Sequence, residues 1–134
     1  RARRRQMSMA SLVQVAQRVV DLERATAFYS ALLGSAPVAR FDPPGLVFFD
    51  LDGVRLLLES AAPSALLYLR VDDLELAVDR AGEVEIVSPG RPIFTHTRDA
   101  LGPAGREEWQ AFIRDPEGNL VGLVAFRDPA EIKY

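Results

Sequence analysis

The segment "RDPEGNLVGLVAF" at residues 114–126 joins a tight turn to an apolar strand. Within the turn, Pro116 presets φ, and Gly118 can adopt the positive φ that other residues avoid. Residues 119–126 then predict a buried strand. This strand carries no reactive side chain, so its role depends on what the rest of the sheet places beside it.

The same order of turns and helix signals occurs twice along the chain. The turn at Asp52-Gly53 lies 65 residues before the turn at Gly118, and it joins two predicted strands, 47–51 and 54–59, in a hairpin. The string "VDLE" at 20–23 returns as "DDLE" at 72–75, and each string predicts the start of a helix. Asp21 is the first predicted N-cap, and either Asp72 or Asp73 is the second.

These signals predict an α+β fold made of two tandem βαβββ modules. Such modules form a curved mixed β-sheet with a trough on the inside and the helices outside. The helices are predicted to stop at Gly34 and Gly82, and residues 35–45 are predicted to form a loop. The remaining predicted strands cover residues 11–20, 66–71, 84–87, 93–97 and 108–114.

The length and composition predict one globular domain. Of the 134 residues, 49% are hydrophobic and 26% are charged. We predict a leader at residues 1–10, a domain at 11–127 with modules of about 11–60 and 65–127, and a tail at 128–134. The chain has no cysteine, which excludes disulfides and thiolate metal sites. No hydrophobic core of a signal peptide follows the N-terminal arginines, so we expect a cytoplasmic protein.

The charge distribution argues against nucleic acid as the main partner. Four arginines in the first five residues provide four positive charges, and removing them from the net charge of −3 leaves −7 for the remainder. A body that acidic repels a phosphate backbone, although the arginine run itself has the composition of a nucleic-acid-binding arm or of a simple leader. No apolar stretch approaches the roughly 18–20 residues that a membrane span requires.

Four strings together carry a resemblance to a known family: "VVDLERATAFYSALLG", "GLVFFDLDGVRLLLE", "LYLRVDDLELAV" and "WQAFIRDPEGNL". In this order they resemble the vicinal oxygen chelate superfamily, the group of glyoxalase I, bleomycin-resistance proteins and extradiol dioxygenases. The resemblance covers about residues 11–127 and implies the two-module trough. It also implies a homodimer, because small domains of this family usually complete their troughs by pairing.

In metal-using members of that superfamily, four strands supply ligands to a divalent ion in the trough. By resemblance, these positions fall on Gln14, on Leu57 or Leu58, on Leu66 and on Gly122. Aliphatic side chains and glycine cannot coordinate an ion, so we expect no metal and no cofactor. Without the ion, the mechanisms that polarise bound oxygens through it lose their Lewis acid.

Strand alternation predicts which side chains share the trough. The expected lining is apolar with a few polar tips, including Tyr68 and either Arg55 or Arg70, as in a pocket for a small organic molecule. Gly122 either leaves room for a ligand or allows close packing. The predicted ligand-binding residues are Gln14, Arg55, Leu66, Trp109, Phe112 and Gly122, and since Trp109 and Phe112 lie on opposite faces, one of them should face the trough.

Two functions fit this pattern. The first is a ligand-binding protein that sequesters a small organic molecule. The alternative is a metal-independent lyase or isomerase in which His96 or Tyr68 acts as acid or base. A histidine with an ordinary pKa of about 6.5 suits proton transfer, although His96 would also fit as a hydrogen-bonded residue at a strand edge.

Overall fold

The computed structural model describes residues 13–129, which contain two helices and eight strands. The predicted leader at 1–10 and residues 130–134 of the predicted tail lie outside the described residues. The elements of the first module are β1 (Gln14–Arg18), α1 (Leu22–Leu33), β2 (Ala39–Phe41), β3 (Leu46–Leu51) and β4 (Val54–Glu59). Those of the second are β5 (Leu67–Arg70), α2 (Leu74–Ala81), β6 (Ile86–Thr95), β7 (Glu107–Arg114) and β8 (Leu120–Arg127).

The two modules have the same sheet topology, which confirms the predicted α+β fold of tandem βαβββ units. Each forms a four-stranded sheet, with the orders β1-β4-β3-β2 and β5-β8-β7-β6. The pairs β1–β4 and β5–β8 are parallel, and all other strand pairs are antiparallel. The internal repeat of the sequence is therefore a repeat of structure.

The helix boundaries follow from local signals. The Asp21 side chain accepts a hydrogen bond from the backbone amide of Arg24, and Gly34 ends α1 in the left-handed region with φ of 69°. The second N-cap is Asp73 rather than Asp72, because the Asp73 carboxylate accepts from the amide of Leu76 at 3.1 Å. No helix in residues 13–129 is long and apolar enough to span a membrane.

Two local predictions were wrong. The predicted loop at 35–45 contains β2, which exists because Ala39–Phe41 pairs with β3. The strands predicted at 84–87 and 93–97 are one irregular strand, β6, whose pairing with β7 changes register three times. Pro89 and Pro92 interrupt the apolar pattern there, and β6 tolerates them because it lies at the edge of its sheet.

Both helices pack on the same side of the two sheets around one shared core. The largest fully buried side chains come from both modules and include Tyr29, Phe49, Leu56, Ile113 and Leu123. The opposite side of the sheets carries no helix, and we call the side chains that point there the trough face. Edge strands β1 and β5 meet where the Ala65 amide donates to the Ala16 carbonyl at 3.0 Å.

The Asp115–Asn119 turn also joins the second module to the first. The buried Tyr29 hydroxyl donates to Asp115 Oδ2 at 2.7 Å and accepts from Gln17 Nε2 at 3.1 Å. Burial and the negative charge of Asp115 raise the pKa of Tyr29, so its hydroxyl stays a donor. The turn thus holds the second sheet against the first strand and helix of the chain.

Glu117 of the same turn binds the start of α1. Its carboxylate accepts from the backbone amides of Val20 and Asp21 and pairs with the Arg24 guanidinium. Burial alone would raise the pKa of Glu117, but these hydrogen bonds and the Arg24 charge outweigh it and lower that pKa. Both carboxylates of the turn, Asp115 and Glu117, therefore bind groups of the first module.

Candidate functional site

On the trough face of the first module, an arginine lies beside Gln14, one of the four positions that the resemblance assigns to metal ligands. Arg55 Nε donates to Gln14 Oε1 at 2.9 Å, across the parallel pairing of β1 and β4. The Arg55 guanidinium carbon lies 5.9 Å from the centre of the Phe48 ring, within the range of a cation–π contact. Phe48 in turn packs edge-to-face with Phe41, with ring centres 6.0 Å apart.

The trough face of the second module carries an aromatic pair. The Tyr68 and Phe112 rings pack edge-to-face with centres 5.7 Å apart, and Tyr68 is 54% exposed. Gly122 lies between them, and a Cβ built there would be 3.0 Å from atoms of both rings. The absence of a side chain at Gly122 therefore lets the two rings approach β8 closely.

A second stacked arginine lies on the same face. The Arg70 guanidinium carbon is 4.8 Å from the centre of the Phe126 ring. Each module thus presents one arginine over an aromatic ring and one edge-to-face aromatic pair. This correspondence was not apparent from the sequence, because Phe48 and Phe126 lie among mostly apolar residues in their strands.

His96 lies at the far end of the trough face of the second module and is 3% exposed. Its Nε2 atom is 2.8 Å from Glu108 Oε1, and Glu108 Oε2 accepts from Gln110 at 2.8 Å. The imidazole packs beside Phe126, with ring centres 5.5 Å apart. Gly102 of the following loop covers it, since a Cβ on Gly102 would lie 2.8 Å from imidazole atoms.

Not all of the predicted ligand-binding residues come together. Trp109 lies on the face of β7 opposite Phe112 and packs against the core. The Arg127 guanidinium carbon lies 4.2 Å from the centre of the Trp109 ring. Leu66 immediately precedes β5, is 48% exposed and lines a crevice between the modules. Gln14 and Arg55 form one group, and Phe112, Gly122 and Tyr68 form the other.

The residues at the four positions that the resemblance assigns to metal ligands do not fit a divalent ion. Leu57 is the trough-face residue of the Leu57/Leu58 pair, because Leu58 belongs to the core on the helix side. The only oxygen donor at the four positions is Gln14 Oε1, and it is hydrogen-bonded to a permanent cation. Within residues 13–129, no group of three or more His, Cys, Asp or Glu side chains could hold a metal ion.

The crevice between the modules has a volume of about 870 Å³. It runs between the β3–β4 hairpin and the segment from β5 to α2, and several aspartates line it. Two of them have structural roles, because Asp50 accepts from the amide of Gly53 and Asp73 caps α2. We therefore consider the trough face, with its stacked arginines, the better candidate site.

Two repeated βαβββ modules with a trough opposite their helices define a class of small α+β proteins. The family model of the Glyoxalase/Bleomycin resistance protein/Dioxygenase superfamily matches residues 11–123, and the chain belongs to this superfamily. No protein in the search of curated proteins matches it.

Solved structures share the fold. One is TnmS3, described as an antibiotic binding protein from Streptomyces sp. CB03234, with 22% identity, a TM-score of 0.66 and coverage of 90% of this chain and 99% of that one. A glyoxalase-related enzyme from Fulvimarina pelagi has 18% identity, a TM-score of 0.65 and coverage of 87% and 88%. An integron cassette protein from V. cholerae has 21% identity, a TM-score of 0.64 and coverage of 90% and 98%.

Proposed function

We propose that this protein binds a small organic molecule on the trough face without a divalent metal and serves as a ligand-binding or sequestering protein. The observation that carries the proposal is the contact of Arg55 with Gln14, because it puts a fixed cation beside the only oxygen donor at the family's metal positions. A dication there would be repelled by the guanidinium. The description of TnmS3 as an antibiotic binding protein supports a binding role within this fold.

The aromatic rings of the trough face suit a planar, largely apolar ligand. Tyr68 and Phe112 present ring surface there, and aromatic rings stack on planar molecules with favourable geometry. The few polar groups, among them Gln14 and Arg55, can fix the orientation of a ligand.

The proposal includes a homodimer in the cytoplasm. Edge strands β2 and β6 each have one side without a strand partner among the described residues, and such edges favour pairing. The resemblance to small trough proteins that pair also supports the dimer. The lack of cysteine is consistent with a reducing compartment, and the acidic body argues against nucleic acid.

The proposal is tested with N-phenyl-1-naphthylamine, an uncharged aromatic probe whose fluorescence rises in apolar sites. We expect saturable binding that weakens at least about fivefold in Phe112→Ala, because that ring lies on the trough face. The matched control is Leu76→Ala, since Leu76 lines only the crevice. Phe112→Leu keeps apolar volume, and circular dichroism confirms that each variant is folded.

Binding that is lost in Leu76→Ala and kept in both Phe112 variants would contradict the trough proposal. A complete lack of saturable binding by the folded wild-type protein would also contradict it.

An enzyme is the second candidate, favoured by the contact between His96 and Glu108, which would orient the imidazole. Tyr68 is the other candidate acid or base, because its ring is half exposed on the trough face. If the protein is a metal-independent lyase or isomerase, a ligand recovered from the wild-type protein is chemically converted during incubation. His96→Gln or Tyr68→Phe then abolishes conversion while affinity is retained, whereas an unconverted ligand supports the binding protein.

A further inference from the structure

We infer that the ligand of the trough is an organic anion, in which a planar apolar body carries a carboxylate or sulfonate group that Arg55 and Arg70 bind. This inference rests on the proposed function and narrows it to a ligand class. It depends on two guanidinium groups that lie on the trough face without a carboxylate partner.

The Arg55 guanidinium has unused donors. Its Nε atom donates to Gln14, and within residues 13–129 its two terminal nitrogens have no hydrogen-bond or ion-pair partner. Asp50 lies directly across the β3–β4 pairing, but its Oδ1 atom accepts from the Gly53 amide and the carboxylate forms no ion pair with Arg55. The fork of terminal N–H groups is therefore available to a ligand.

Arg70 is similarly unpaired. Within residues 13–129 its guanidinium forms no ion pair and lies over the Phe126 ring. Glu108 lies across from Phe126 in the β7–β8 pairing, and its carboxylate is already bound through both oxygens, to His96 and to Gln110. A guanidinium on an aromatic ring keeps its in-plane donors free, so Arg70 is held in position without losing hydrogen-bonding capacity.

Four other arginines, Arg24, Arg40, Arg114 and Arg127, each form an ion pair with a glutamate at 4 Å or less. Arg80, Arg91, Arg98 and Arg106 form no such ion pair within residues 13–129, so what distinguishes Arg55 and Arg70 is their position over aromatic rings on the trough face. The chain has 19 acidic side chains against 16 basic ones, so carboxylate partners are abundant. Two arginines without such partners, on the face that also presents aromatic rings, indicate a site for a ligand that supplies both an anion and an apolar surface.

The test uses a matched pair of probes, 1-anilinonaphthalene-8-sulfonate and the uncharged N-phenyl-1-naphthylamine, which share one aromatic frame. Arg55→Gln and Arg70→Gln should each weaken binding of the sulfonate probe at least about fivefold and change binding of the uncharged probe less than about twofold. Arg55→Lys, which keeps the charge, should retain more affinity than Arg55→Gln. The control is Arg40→Gln, which makes the same change of net charge at an ion-paired arginine away from the trough.

The outcomes separate this inference from the proposed function. If both probes bind and neither glutamine variant affects the sulfonate probe more than Arg40→Gln does, the anion inference is wrong and the binding proposal stands. If only the uncharged probe binds, the anion inference is also wrong. If neither probe binds the folded protein, the proposed function itself fails. Arg55 does not line the crevice whereas Arg70 does, so an effect of Arg70→Gln alone would place the anion in the crevice and overturn the inference.

Discussion

We predict that Tyr29→Phe greatly lowers the free energy of unfolding, because the Tyr29 hydroxyl links Gln17 and Asp115 through two buried hydrogen bonds. The substitution removes one oxygen and leaves the ring in place. Asp115 Oδ2 then loses its 2.7 Å hydroxyl donor and keeps only the side-chain amide of Asn119 at 2.9 Å. The Gln17 amide loses its single partner, since Gln17 Oε1 already has none among the described residues.

The magnitude follows from these two losses. A hydrogen bond to a carboxylate contributes about 1.5–3 kcal/mol, and a buried amide left without a partner costs about 1–3 kcal/mol. We therefore expect Tyr29→Phe to lower the free energy of unfolding by about 3–5 kcal/mol, out of a typical total of 5–15 kcal/mol. Urea denaturation at one fixed protein concentration, followed by circular dichroism, measures this difference.

A second substitution separates the two contributions. Gln17→Met in the Tyr29→Phe background removes the stranded amide while keeping similar volume, so it should restore about 1–3 kcal/mol. A Tyr29→Phe variant within about 0.5 kcal/mol of wild type, or a double variant no more stable than Tyr29→Phe, would refute this reasoning.

The raised pKa of Tyr29 adds a pH signature. The unfolded chain releases the tyrosine proton near pH 10, whereas the folded protein retains it. The stabilisation of the folded state by protonated Tyr29 is therefore fully present below about pH 10 and declines as the pH rises above it. The wild-type melting temperature should fall more steeply than that of Tyr29→Phe above that pH.

Three further predictions concern the turn, the trough and the covered histidine. The pKa of Glu117 is lowered in the folded state, so Glu117→Gln should reduce the melting temperature at pH 7. The difference from wild type should shrink as the pH falls below about 4, and a difference that is constant with pH would be inconsistent with this ion pair. Gly122→Ala should weaken binding of N-phenyl-1-naphthylamine with a stability loss of about 1–3 kcal/mol, because its Cβ would displace the two rings above it; unchanged affinity would argue against those rings as a platform. Gly102→Ala should uncover His96, seen as faster reaction of its imidazole with diethyl pyrocarbonate; an unchanged rate would show that the loop does not cover the ring.

The features that could be predicted from the sequence are those set by local chemistry. The boundaries of α1 follow from Asp21 and Gly34, and the β3–β4 hairpin follows from its Asp-Gly turn. The residues at the family's metal positions were assigned by resemblance, and that assignment stays a prediction. The structure adds that Leu57 points to the trough face, because Leu58 belongs to the core.

The features that could not be predicted depend on pairing between distant segments. β2 is short and exists only through its contact with β3, so no local pattern marks it. The contact between Gln14 and Arg55 joins residues 41 positions apart, and the one between Tyr29 and Asp115 joins residues 86 apart. Gln17, between Val15 and Val19 on the core side of β1, was the available signal for these buried hydrogen bonds, but its partners required the tertiary structure.

The central claim is that the trough of this superfamily member works without a bound divalent metal. Untagged full-length protein can be incubated with Zn²⁺, Fe²⁺, Mn²⁺ or Ni²⁺, desalted, and analysed for metal by inductively coupled plasma mass spectrometry. We predict fewer than about 0.1 equivalents of any of these metals per chain, because the four positions assigned to metal ligands by resemblance offer one side-chain oxygen, an amide already bound by a guanidinium. About one equivalent per chain that is retained through desalting and lost in Gln14→Ala would contradict the account.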